Sequence, residues 1–201
     1  SRGIYDFQIP LMSLPCLFYR SNKNILKLNS FFKSNNKKID EWKSILSLSN
    51  KKINIGISIS GNPKHIKDNR RRIKIESFLE FKKFSKLFII QREIYEEDEI
   101  VLKNDEEIVY LGKHDKWKDF EDTSAIVHNM DLIISIDSSL IHLAGAMNKK
   151  SFLLLSKPAD WRWTEDNKLT PNWYNSVKIF RQREVGAWGT VIKDIKEELK
   201  Y

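Results

Sequence analysis

DLIISIDSSLIHLAGAMNKK, residues 131–150, is the stretch around which the rest of the chain can be placed. Leu132 to Ile136 is a short isoleucine-rich run, the pattern of a strand buried on both faces. It stops at Asp137-Ser138-Ser139. Leu140, Leu143, Ala144 and Met147 then recur at helical spacing, and Gly145 lets that helix pack closely. Ser138 or Ser139 is suited to cap the helix. A helix start offers free backbone N–H groups and a positive dipole end, which suits a phosphate. His142 sits one turn in.

The same alternation runs outward from this unit. Ile53, Ile55, Ile57 and Ile59 alternate in a strand that ends at Gly61-Asn62-Pro63. A helix is expected over residues 75–85, with Phe78, Leu79 and Phe84 facing the core. Further strands are expected over residues 87–90, 107–111, 151–156 and 177–180. Residues 92–106 read as acidic and irregular. Residues 122–130 read as a helix capped by Asp122 or Thr123, and residues 188–201 as a closing amphipathic helix with Val191, Ile192, Ile195 and Leu199 inside. Residues 158–175 form a long loop with three tryptophans. In the first 50 residues, 40–47 read as a short helix presenting Trp42, Ile45 and Leu46. Leu26, Leu28, Phe31 and Phe32 anchor the polar stretch before it.

Strands alternating with helices at this spacing imply an α/β fold, a parallel sheet with helices on both faces. In such sheets ligands bind beyond the carboxyl ends of the strands, near the point where strand order reverses. The strand ends here are polar or small while the strands are apolar.

Composition narrows the classes. The 201 residues are 41% hydrophobic and 31% charged, a globular balance. No apolar run approaches the ~20 residues of a membrane span, and no signal peptide opens the chain. The single cysteine, Cys16, excludes an internal disulfide and fits the cytoplasm. The chain opens on Ser1 and reads as a fragment. Net charge is +8. It suits a phosphorylated ligand, a nucleic acid or peripheral contact with membrane headgroups, but a general lysine bias explains it more simply.

Gly61 permits a tight turn and close approach of a ligand to backbone. Arg70, Arg71 and Arg72 follow in the same connection, and arginine grips phosphate oxygens with two parallel donors. Such a run is as readily a solvated face. His142 reads equally as a structural residue or a ligand contact, and Asp137 as a cap or a contact to a ligand hydroxyl. The P-loop, dinucleotide-fold and hydrolase-elbow motifs are absent. The acidic run 96–99 reads as a solvated loop. The four histidines are scattered, with no convincing metal spacing.

Several stretches together carry a family resemblance: DFQIPLMSLP (6–15), IGISISGNPKHIKDNRRRIKI (55–75), FIIQ (88–91), DFEDTSAIVHNMDLIISIDSSLIHLAGAMNKK (119–150), DWRW (160–163), PNWY (171–174) and FRQ (180–182), closed by Trp188. In this order and spacing they resemble the carboxyl half of bacterial glycosyltransferases attached to tetratricopeptide repeats. Those are related to the lipopolysaccharide heptosyltransferases of glycosyltransferase family 9.

The resemblance implies the GT-B fold, in which a Rossmann-like carboxyl-terminal domain binds the nucleotide-sugar donor. Residues 1–50 would then be the tail of an acceptor-side domain and a linker, 51–185 the donor domain and 186–201 the closing helix. Most of the acceptor domain would lie upstream. Carried over residue by residue, Ser60, Gly61 and Asn62 would line the diphosphate, and Arg72 would neutralise its charge. Gln91 would lie near the ribose or base, and Asp122 and Thr123 where the base docks. Asp137, Ser138, Ser139 and His142 match an Asp-Thr/Ser-Gly-x-x-His pattern holding the diphosphate, with Ser139 in the glycine's place. The implied activity is glycosyl transfer to an acceptor hydroxyl without a bound metal or cofactor, and no catalytic base stands out. The expected partners are a nucleotide sugar and a glycan, lipid or protein acceptor, not nucleic acid. The competing readings are a catalytically inactive nucleotide-binding or scaffold module of the same fold, a basic nucleic-acid-binding α/β domain, and a sugar epimerase of GT-B type.

Overall fold

Six parallel strands form one sheet in the order β3-β2-β1-β4-β5-β6. They are β1 (Ile53–Ser58), β2 (Ser85–Ile89), β3 (Ile108–Tyr110), β4 (Leu132–Ile136), β5 (Ser151–Leu155) and β6 (Val177–Arg181). The computed structural model describes residues 6–14, 17, 30–62, 68–160, 163 and 173–199. Its helices are α1 (Asn36–Ile45), α2 (Asp68–Arg71), a 3-10 helix (Ile75–Lys83), α3 (Glu96–Lys103), α4 (Phe120–Asn129), α5 (Ser139–Ala146) and α6 (Trp188–Leu199), besides a 3-10 turn at Leu11–Ser13. The expected Rossmann-like α/β fold is therefore the observed one.

Every residue of β4 and β5 is buried, which is why both read as continuous apolar runs. Side chains alternate between two layers. Ile134, Ile136, Phe152 and Leu154 join Ile55, Ile57, Phe78, Phe81 and Ile195 beneath the 3-10 helix and α6. Ile133 and Phe88 point the other way, into Trp42, Ile126, Leu140 and Ala144 of α1, α4 and α5. Trp42 is 1% exposed, so α1 belongs to this core although it precedes residue 50. The connection after β3 carries the chain across to β4, beside β1, and the order reverses between β1 and β4.

Four expectations change. The segment after the arginines is a 3-10 helix, and its buried residues are Ile75, Phe78 and Phe81. That spacing of three matches 3.0 residues per turn, and Phe84, just past the helix end at Lys83, is 38% exposed rather than in the core. The acidic stretch is helical: α3 begins with Glu96, Glu97, Asp98 and Glu99, which suit a helix start, and Asp98 is fully buried. Helix α4 starts earlier than expected and is capped by Asp119, whose carboxylate accepts the N–H groups of Glu121 and Asp122. Asp122 and Thr123 lie inside it. Phe31 and Phe32 are 58% and 39% exposed. Their N–H groups, not their rings, hold the chain, donating to the Ala146 carbonyl at the end of α5. Leu26, Leu28, Trp161 and Arg162 lie outside the described residues. Among those described, no helix is long and apolar enough to cross a membrane.

Candidate functional site

A cavity of about 540 Å³ opens beyond the carboxyl ends of β1 and β2 and the start of α5. This is the switch point of the sheet, where open α/β folds take their ligands. Its walls come from Ser58, Ser60, Gly61 and Asn62 after β1, and from Ile90 to Glu93 after β2. Trp117 to Phe120 and Thr123 add the α4 side, Ser138 to Leu140 the α5 start, and Arg71 the wall from α2.

Hydrogen bonds set the shape of each wall. Gln91 ties the ends of β1 and β2 together. Its Oε1 accepts the Ile59 and Ser60 N–H groups at 2.7 and 3.3 Å, while its Nε2 donates to Ser60 Oγ and the Glu93 carbonyl. Ser138 caps α5 through the Leu140 N–H at 3.3 Å. Buried Asp68 accepts the Gly61 N–H and Arg71 Nε, both at 2.8 Å, and Arg71 Nη1 donates to the Asp137 carbonyl at 2.7 Å. Gly61 must be a glycine for this: a Cβ there would lie 2.0 Å from Arg71 Nη2. One end of the cavity thus joins a fixed arginine to the start of a helix. Both attract anions.

The other end is aromatic. The Arg92 guanidinium lies 4.6 Å from the centre of the Trp117 ring, and Trp117 Nε1 donates to Thr123 Oγ1 at 2.8 Å. Phe120 is 60% exposed at the cavity wall. Beneath this end, Asp122 accepts Lys38 Nζ at 2.7 Å, Trp42 Nε1 at 3.1 Å and the Lys118 N–H at 2.8 Å. Burial alone raises its pKa, but these bonds outweigh it and hold the carboxyl down at about 2.

Of the residues singled out in the sequence, the cavity gathers Ser60, Gly61, Asn62, Gln91, Thr123, Ser138 and Ser139. Four others lie elsewhere among the described residues. Asp122 is buried behind the wall, as described. Asp137 reaches the site only through its carbonyl and Arg71. His142 faces sideways: its ring stacks 5.0 Å from that of fully buried Trp163, and its Nδ1 lies 3.1 Å from Tyr174 Oη. Arg72 points away, to Glu97 and Asp98 at 2.9 and 2.7 Å, with its guanidinium 3.7 Å over the Tyr95 ring. Of the three consecutive arginines, Arg71 lines the cavity instead. One residue along a helix turns the side chain by about 100°, and the run of three arginines could not say which member faces inward. Trp117, Arg92, Lys118, Asp119 and Phe120 were missed; the aromatics flanking a β-to-α connection were the only signal. Among the described residues, no three of His, Cys, Asp and Glu gather as a metal would need.

With this geometry in hand, solved structures of similar shape can be compared. The glycosyl transferase family 9 protein of Veillonella parvula superposes with a TM-score of 0.56 at 16% identity, over 85% of this chain and 47% of its own. The Escherichia coli heptosyltransferase WaaC with ADP gives 0.54 at 14% identity, over 98% of this chain and 59% of its own. The chain has the Rossmann-like fold of GT-B glycosyltransferases. The Escherichia coli ADP-heptose lipopolysaccharide heptosyltransferase II adds a TM-score of 0.52 at 17% identity, over 82% of this chain and 49% of its own. This chain therefore spans roughly half the length of these neighbours. No family model and no curated protein matches it.

Proposed function

We propose that the chain is the donor-binding, carboxyl-terminal half of a bacterial cytoplasmic glycosyltransferase, and that its cavity takes a nucleotide-diphosphate sugar. The observation that carries this reading is the pairing of Arg71 with the Ser138-capped start of α5 at the sheet's switch point. In transfer, the acceptor hydroxyl oxygen bonds to the anomeric carbon as the bond from that carbon to the diphosphate breaks. The electron pair stays on the departing diphosphate oxygen. Arg71 and the N–H groups of α5 stabilise that charge, so no metal is required of this half. The hydroxyl's proton goes to a base on the acceptor side, in line with an acceptor domain upstream. A glycan, lipid or protein carries the hydroxyl.

A second reading has one observation in its favour. Arg72, which the family resemblance sets against the phosphate, is held by Asp98 and Glu97. A fold that kept nucleotide binding and lost turnover would tolerate this. Titration calorimetry with ADP, UDP and GDP and their sugars tests the first reading. Micromolar binding to one nucleotide, weakened by Arg71→Ala, is expected; no binding to any of the three refutes the reading. Turnover by the full-length chain separates an active enzyme from an inert module.

A further inference from the structure

Asp68 has no exposed surface, yet it is not an ordinary salt-bridge partner. Its Oδ1 receives two donors, the Gly61 N–H and Arg71 Nε, each at 2.8 Å. Its Oδ2 receives Tyr95 Oη at 3.1 Å. Burial, then the bond to Asp68, push the Tyr95 hydroxyl's pKa up, so it remains a donor. One carboxylate therefore joins three parts of the molecule: the turn after β1, the arginine of α2 and the residue preceding α3.

The consequence falls on Arg71. A free arginine side chain has four rotatable bonds and samples many directions. Here Nε is held by Asp68 and Nη1 by the Asp137 carbonyl at 2.7 Å. Two anchors on one planar group fix its plane, and the remaining nitrogen, Nη2, lies over Gly61 in the cavity wall. The same carboxylate oxygen fixes the Gly61 N–H, which orients the backbone of that wall. Asp137 stands just before Ser138, so the arginine also spans from β1 to the start of α5.

We propose that Asp68 is a positioning residue for diphosphate recognition: it touches no ligand itself, but sets the direction of Arg71 and the shape of the Gly61 turn before the anion arrives. A preset donor costs less ordering on binding than a mobile one. This inference rests on the nucleotide-sugar reading of the cavity.

The test is calorimetry on the full chain with whichever of ADP, UDP or GDP it binds, alongside the matching nucleoside, which lacks the phosphates. Asp68→Ala is expected to weaken the diphosphate about tenfold, the order of one charge-assisted hydrogen bond, and to leave the nucleoside within about twofold. Asp68→Asn keeps the shape and one acceptor oxygen but not the charge that holds Arg71; it serves if the alanine variant does not fold, with a smaller loss expected, again for the diphosphate and not the nucleoside. In an Arg71→Ala background either Asp68 change is expected to add little, because Asp68 acts through that arginine. Equal loss for diphosphate and nucleoside, or full additivity with Arg71→Ala, overturns the positioning role while leaving the nucleotide reading intact. Failure of the unaltered chain to bind any of the three nucleotides overturns both.

Discussion

Arg72 Nη2 lies 2.7 Å from Asp98 Oδ2, and this pair holds the arginine against α3. Burial opposes the charge on Arg72, but the bonds to Glu97 and Asp98 outweigh it and push its pKa up. Asp98 also accepts the Ile75 N–H at 3.0 Å, so the pair pins α3 to the 3-10 helix. Removing Arg72 leaves fully buried Asp98 without its cation, and removing Asp98 leaves Arg72 with exposed Glu97 as its remaining carboxylate. Arg72→Ala and Asp98→Ala are each expected to lower unfolding stability by about 3 kcal/mol in urea titrations. Glu97→Ala, at an exposed partner, is expected to change little. Under conditions where Arg72→Ala stays folded, its nucleotide affinity is expected to match that of the unaltered chain, whereas Arg71→Ala loses affinity.

Acid should uncouple α1 from α4. Asp122 titrates at about 2 in the folded chain, against about 3.9 for an unfolded aspartate. A depressed pKa contributes stability that is fully present above the unfolded value and lost as pH falls through the folded one. The window is therefore roughly pH 5 down to 2, and the contribution is about 2 kcal/mol. Asp122→Asn is expected to flatten the stability profile in that window, measured by urea unfolding at several pH values. An unchanged slope would show that the Lys38, Trp42 and Lys118 bonds do not hold the carboxylate.

These elements also show what the sequence could and could not disclose. The strands β4 and β5 were legible because burial on both faces leaves a nearly unbroken apolar run, and β1 because isoleucine alternates along it. The start of α5 was legible because small polar residues stood directly between strand and helix. Helix α3 was not, since EEDEIVLK shows almost no apolar face; its order comes from the Arg72–Asp98 pair, a contact between segments. Phe78, Leu79 and Phe84 misled: they read as one α-helical face, whereas the 3-10 helix buries Ile75, Phe78 and Phe81 at a spacing of three and ends before Phe84. At the site, strand-end residues were identifiable from topology alone. The choice of Arg71 over Arg72 depended on the rotation of a single helical turn and on Asp68 beside it, which no pattern along the chain records.

Gly145 lies flat beneath Tyr174: a Cβ there would approach the ring Cγ to 2.4 Å. On an open helix face, glycine to alanine raises stability by about 1 kcal/mol. Here the ring cannot bend away as a flexible chain end would, and overpacking costs about 1–3 kcal/mol. Gly145→Ala is therefore expected to lower the melting temperature rather than raise it. It should also displace Tyr174 from His142 Nδ1, read as a shift of the His142 ring resonances. A rise in melting temperature would mean the helix has room at this point.

Ser138 offers a way to separate helix capping from anion binding at one position. Aspartate is as good a cap as serine, and its charge favours a helix start. Ser138→Asp should therefore keep the melting temperature, while Ser138→Ala loses about 1 kcal/mol of cap stability. Ligand binding should rank the two variants in the opposite order. The aspartate places a negative charge where the diphosphate is expected, so its affinity for a nucleoside diphosphate should fall at least about tenfold. The alanine variant still presents the α5 N–H groups and should lose less. The nucleoside, carrying no charge, should bind both variants alike. If Ser138→Asp binds the diphosphate as well as Ser138→Ala does, the anion does not sit at the start of α5, and the cavity's charged end must be sought along Arg71 and the Gly61 turn alone.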